Sequence, residues 1–204
     1  MIGIVNYNMG NLGSVLNAFE KVGAKAKLVN NPQELKKYDK INLPGVGAYG
    51  DAMEHLNKSG MKEAILEYAK SGKYILGTCL GMQLLFDKSQ EFGANEGLGL
   101  IEGEVVAFDR SKFDNPELKV PHMGWNEMFV QFDDNILNGL PKDFYLYFVH
   151  SYHVICDDKY ALGKTLYGYE FVSAVKKENI YGFQPHPEKS HEIGLKILEN
   201  FVSL

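Results

Sequence analysis

Apolar positions in the first half of the chain alternate between two spacings. Residues 2–6 open with an unbroken strand-like run, Ile2-Gly3-Ile4-Val5. Leu12, Val15, Leu16, Phe19 and Val22 then recur at helical intervals, and Gly23 follows as a stop signal. Residues 25–29 predict a second strand, and Ile41-Asn42-Leu43 a third that ends at Pro44. Residues 48–58 and 61–71 predict helices, with Gly60 and Gly72 at their ends. Residues 73–76 predict the next strand, and Leu84-Leu85-Phe86 the buried face of the helix after it. Such a rhythm implies parallel strands joined by right-handed helical crossovers. The second half is richer in strands, predicted at residues 103–108, 145–155, 162–167 and 171–176. Glu178-Asn179 turns into a last strand at residues 180–183. Ser190 is placed to cap a final helix whose apolar stripe is Ile193, Ile197 and Phe201. The fold class expected is α/β, with three layers, a mostly parallel central sheet, flanking helices and a strand-rich second half.

Composition narrows the class without changing it. With 204 residues, 45% of them hydrophobic, the chain is expected to form one domain over residues 1–204 with a sizeable core. A formal charge of -5 argues against nucleic acid as the main partner. No run of apolar residues is long enough to span a membrane, and the N-terminal run lacks the features of a signal peptide. The two cysteines, Cys79 and Cys156, fit a reduced cytoplasmic enzyme, with Cys156 a structural residue near a strand end.

The chemistry concentrates in two short segments. In Gly77-Thr78-Cys79-Leu80-Gly81-Met82-Gln83 a cysteine stands among small residues between a strand and a helix. A nucleophile on so sharp a turn needs small neighbours, and the next helix would aim free N–H groups at the sulfur. In isolation the segment reads equally well as a core cysteine. The second segment is Gln184-Pro185-His186-Pro187-Glu188-Lys189-Ser190. His186 is a candidate base for Cys79, and Glu188, two residues on, projects to the same side of an extended chain. A carboxylate against the imidazole fixes its tautomer and stabilises the imidazolium. His-Pro-Glu alone would read as a surface loop; paired with the glycine-flanked cysteine it reads as the other half of a site. His55, His122, His153 and His191 show no metal-ligand spacing, and no phosphate-binding glycine motif is present. Neither metal nor cofactor is expected.

These segments, with Asn6 to Asn11, Pro44-Gly45-Val46-Gly47, Pro121-His122-Met123-Gly124-Trp125-Asn126 and Tyr147-Phe148-Val149-His150-Ser151-Tyr152, carry a resemblance to the class I (triad) glutamine amidotransferases. The last two motifs narrow the likeness to the glutaminase subunits of imidazole glycerol phosphate synthases. The resemblance implies a flavodoxin-like fold and a triad of Cys79, His186 and Glu188 that hydrolyses glutamine through a thioester. It implies oxyanion donors at Leu80 and in the loop Gly45, Val46 and Gly47, whose peptide is held unready until a partner activates it. Gln83, His150, Ser151 and Tyr152 would hold the glutamine. Asn11, Trp125, Asn126 and Lys189 would face the partner, although Trp125 reads equally well as a buried core residue. The partner so implied is a (β/α)8-barrel cyclase forming a heterodimer that takes up the ammonia, with products used in histidine biosynthesis. Three positions depart from the family pattern: Pro185 replaces a bulky apolar residue, Asn6 a common Asp and Asn8 a common Gly. Other readings stay open on sequence: a glutaminase serving a sugar amidotransferase for surface glycans, a cysteine hydrolase or peptidase acting on another amide, and a silent binding subunit.

Overall fold

The computed structural model describes every residue, Met1–Leu204. Its elements are β1 (Ile2–Val5), α1 (Leu12–Lys21), β2 (Ala26–Val29), β3 (Lys40–Leu43), α2 (Tyr49–Ser59), α3 (Met61–Lys70), β4 (Tyr74–Thr78), α4 (Leu80–Leu84) and β5 (Phe86–Ser89). They continue with β6 (Asn95–Glu96), β7 (Ile101–Ala107), β8 (His122–Val130), β9 (Asp143–His150), β10 (Tyr152–Cys156), β11 (Ala161–Tyr167), β12 (Tyr169–Lys177), β13 (Ile180–Phe183) and α5 (His191–Ser203).

All the strands belong to one mixed sheet, ordered β2-β1-β3-β4-β13-β12-β10-β7-β5-β6, with β11, β8 and β9 branching from β12. From β2 to β13 the pairs are parallel. Beyond β13 they are antiparallel except for β5 with β7. The α/β class is as expected, but the sheet as a whole is mixed, not mostly parallel: five of its twelve strand pairs are parallel, concentrated where strands and helices alternate. Alternation along a strand feeds two cores, one on each face. Ile75 joins Leu43, Leu56 and Ile65 on the α2/α3 side. Its neighbour Leu76 joins Phe19, Phe183 and Phe201 on the α1/α5 side.

Three local features depart from the periodicity. The helix after Cys79 stops at Leu84, and Phe86 begins a strand. The carbonyls of Leu84 and Leu85 accept from Leu98, Leu100 and Ile101, so the returning segment at residues 98–101 takes the acceptors a longer helix would use. The run at residues 145–155 is two strands, because β9 pairs with β8 whereas β10 pairs with β7 and β12. Finally, residues 122–130 form a nine-residue strand, β8, that the periodicity did not mark. Gly124 takes φ 126° within it, and the register with β9 continues through that residue.

Candidate active site

β4 carries Cys79 to the carboxyl edge of the sheet. Cys79 has φ 53° and ψ -116° and stands at the N-terminal boundary of α4. The left-handed region is costly for a residue with a side chain and persists only where the surroundings impose it. The flanking glycines show how it is imposed. A Cβ on Gly77 would lie 2.7 Å from the Gly81 carbonyl oxygen, and one on Gly81 would land on the carbonyl of Leu43. Only glycine fits at these two positions, two residues before and two after the cysteine.

β13 runs parallel to β4, with Gly182 opposite Gly77 and Phe183 opposite Thr78. The Cys79 N–H donates to the Phe183 carbonyl at 2.8 Å. His186 therefore leaves its strand beside the cysteine, across 107 positions of sequence. Its Nδ1 is 2.7 Å from Glu188 Oε1, and both side chains are buried, at 3% and 5% exposure. Burial disfavours the imidazolium, but the Cys79 sulfur and the Glu188 carboxylate outweigh it and raise the His186 pKa to about 10. Nε2 itself is buried and has no hydrogen-bond partner of good geometry. Catalytic pairs of this kind are commonly long or poorly aligned before substrate binds. Around the sulfur, the Gln184 amide donates to it at 3.9 Å and the Val149 carbonyl lies 4.0 Å away.

A cleft of about 380 Å³ opens over Cys79 and His186. Of the residues expected there, Val46, Gly47, Leu80, Gln83, His150, Ser151 and Tyr152 line it; Gly45 and Glu188 do not. Both are still in supporting contact. Glu188 holds His186 from behind, and a Cβ on Gly45 would lie 3.0 Å from that of Leu80. Gln83 is oriented by its surroundings. Its amide NH₂ donates to the Tyr152 carbonyl at 3.1 Å and to Gln184 Oε1 at 2.9 Å, leaving Oε1 as an acceptor. His150 has no free ring nitrogen. Nδ1 faces the Tyr152 carbonyl at 2.8 Å, an acceptor, so Nδ1 carries the hydrogen and Nε2 accepts from His122 Nδ1 at 2.9 Å. His122 Nε2 then accepts from the Asn126 amide at 3.2 Å. Burial depresses both histidines, His122 to about 4 and His150 to about 3, so the pair is neutral.

Two residues enter that sequence reasoning missed. Glu91 lines the cleft from the loop before β6, and its Oε2 accepts from the Tyr49 N–H at 2.7 Å. Burial raises its pKa, partly offset by that hydrogen bond. Tyr7 is buried, and its hydroxyl donates to the Pro44 carbonyl at 2.6 Å, behind the loop of Gly45 to Gly47. Tyr7 lies within the quoted stretch from Asn6 to Asn11, but nothing in its spacing marks it. Asn8 takes φ 66°, the left-handed turn that a common glycine would otherwise make, and its N–H donates to Asn6 Oδ1 at 3.1 Å.

The residues expected to face a partner lie outside the cleft. Trp125 is 46% exposed and not a core residue. Its ring stacks on His191 with centroids 5.0 Å apart. Lys189 is exposed, with Nζ 6.0 Å from the Tyr147 ring. Asn11 is exposed and caps α1 through the Ser14 N–H. Asn126 is half-buried, with its amide committed to His122 and to the Leu166 carbonyl.

A family model described as glutamine amidotransferase class-I matches residues 4–204. The chain belongs to the class-I glutamine amidotransferases. Within that class it belongs to the HisH family. It is 64% identical over 203 residues to the imidazole glycerol phosphate synthase subunit HisH of Sulfurimonas denitrificans, covering 99% of this chain and 97% of that protein. The HisH subunit of Wolinella succinogenes is 58% identical over 205 residues, with 100% of both chains covered. Among solved structures, PurLQS from Thermotoga maritima superposes with a TM-score of 0.78 over 99% of this chain and 97% of that one. At 22% identity this last likeness speaks for the fold alone. A class-I glutamine amidotransferase of this family is therefore the glutaminase part of a complex, and no helix of this one is long and apolar enough to cross a membrane.

Proposed function

We propose that this chain hydrolyses the side-chain amide of glutamine and passes the ammonia to a cyclase subunit that makes imidazole glycerol phosphate in histidine biosynthesis. The observation that carries the reading is the buried Cys79, His186 and Glu188 constellation at the foot of a cleft, in a chain 64% identical to a HisH subunit. The Cys79 sulfur attacks the amide carbon, and the C–N bond breaks to leave a glutamyl thioester. His186 takes up the thiol proton and delivers it to the departing nitrogen. Water, deprotonated by His186, then cleaves the thioester and releases glutamate. An imidazole held above its ordinary range by Glu188 and the sulfur is suited to hold that proton until the amide nitrogen needs it.

Glutamine also carries an ammonium and a carboxylate. The free Oε1 of Gln83 and the Glu91 carboxylate form an acceptor pair suited to the ammonium. Ser151 and Tyr152, at the break between β9 and β10, offer the polar surface for the carboxylate. The first N–H groups of α4, at Leu80, and those of the Val46-Gly47 loop supply the oxyanion donors. The partner is a (β/α)8-barrel cyclase in a heterodimer, docked over Asn11, Trp125, Asn126 and Lys189. Direct transfer keeps the ammonia from being protonated in bulk water, where it is no longer a nucleophile.

Glutamate release should be slow for the chain alone and fast with the cyclase subunit and its ligand bound. Cys79→Ala should abolish glutamine-dependent synthesis in the complex and leave ammonia-dependent synthesis intact. Equal turnover with and without the partner would refute the coupling, and an active Cys79→Ala protein would refute the nucleophile.

A further inference from the structure

β9 is an edge strand: β8 is its only neighbour in the sheet. The outward N–H and C=O of such a strand need other partners when they are covered. At Tyr147 both are taken by the segment that carries the triad. The His186 N–H donates to the Tyr147 carbonyl at 2.9 Å. In the opposite direction, the Tyr147 N–H donates to Ser190 Oγ at 3.0 Å. That same hydroxyl donates to the His186 carbonyl at 2.6 Å. The three bonds close a ring in which Ser190 Oγ stands where the second direct bond of an antiparallel pair would be.

Ser190 is 1% exposed, and although it precedes α5 its side chain makes no capping bond. The helix-cap role expected from its position is not the one it fills. Close packing fixes it further: a Cβ on Gly194 would land on the Pro187 carbonyl and lie 2.8 Å from the Ser190 Cβ. In the geometry it takes, the hydroxyl ties the backbone of His186 to β9 on both sides of its Cα.

We propose that Ser190 is a positioning residue for His186: its hydroxyl splints the backbone of the catalytic base to Tyr147 and so sets the aim of the imidazole toward Cys79. The proposal rests on the glutaminase reading. In Ser190→Ala the Tyr147 N–H and the His186 carbonyl lose their bridge, while the lining of the glutamine cleft is unchanged. The turnover rate should suffer and substrate binding should not.

The test uses the chain with its cyclase partner, comparing wild type, Ser190→Ala and Cys79→Ala. Glutaminase kcat should fall at least tenfold in Ser190→Ala, with KM for glutamine within twofold of wild type. The His186 imidazole, followed by NMR in histidine-labelled protein, should titrate at lower pH in Ser190→Ala, because its ring is no longer held against Cys79 and Glu188. An unchanged kcat, or an unchanged His186 titration, overturns the proposal. A rise in KM that matches the fall in kcat/KM, or a thermal transition that loses its cooperativity, also overturns it by making Ser190 a general part of the fold. If Cys79→Ala keeps glutaminase activity, the reading of the site fails first, and the two failures are told apart.

Discussion

Cys79 and Glu188 raise the pKa of His186, and the sign of the effect on stability can be worked out. The folded His186 pKa, about 10, lies above the ordinary 6.5. It therefore contributes stability that is complete below about pH 6.5 and is lost as pH rises through 10. Cys79→Ala removes both contributions that come from the sulfur and leaves those from Glu188. The imidazole of that variant should titrate clearly below the wild-type value by NMR, and an unmoved titration would mean that the sulfur and the ring do not communicate. Sequence exposed this pair because each member sits in a crowded context. Gly77 and Gly81 stand two residues before and two after the cysteine, where only glycine fits, and Pro187 spaces His186 from Glu188. Glu91 was illegible for the opposite reason. It stands in an irregular loop, and its position at the cleft comes from its bond to the start of α2, some forty residues earlier.

Elements add what single residues cannot. The Asn126, His122, His150 and Tyr152 chain joins β8, β9 and β10 by one directed run of hydrogen bonds. Both histidines are neutral when folded, at about 4 and about 3, and protonate near 6.5 when unfolded. The unfolded chain therefore binds more protons, and stability falls as pH drops from about 6.5 toward 4, by up to about 1.4 kcal/mol per pH unit for each ring. Urea titrations between pH 4.5 and 7 should show this slope, and His122→Gln should remove roughly half of the pair's share. A steric prediction concerns Gly81. In Gly81→Ala the new methyl meets the end of β3, and the cost should reach about 3 kcal/mol or more. Gly13→Ala on α1 meets nothing within 4 Å and should cost nothing, so thermal melting of the two variants gives a matched comparison. Strand positions were legible wherever the apolar period was clean. The division between β9 and β10 was not, because a change of partner strand leaves no mark on an alternating pattern.

For the whole molecule, the outer face of β8 and β9 is one apolar surface that intramolecular packing leaves uncovered. Met123 is 66% exposed and Trp125 46%, and Lys189 and His191 lie against the same aromatic patch. Trp125→Ala should weaken association with the cyclase subunit by about 2 kcal/mol, roughly thirtyfold in Kd, measurable by titration calorimetry, without changing the slow basal glutaminase rate. The fold class was legible because alternating strands and helices admit few arrangements. The branch of β11, β8 and β9 was not, since long-range antiparallel pairing is set by contacts far apart in the chain. β13 is inserted between β4 and β12, and it brings the base to the nucleophile. Residues 1–179 carry Cys79 without His186 or Glu188, so a chain cut short there holds the thiol with no imidazole beside it, and the constellation is complete only once the final strand is in place.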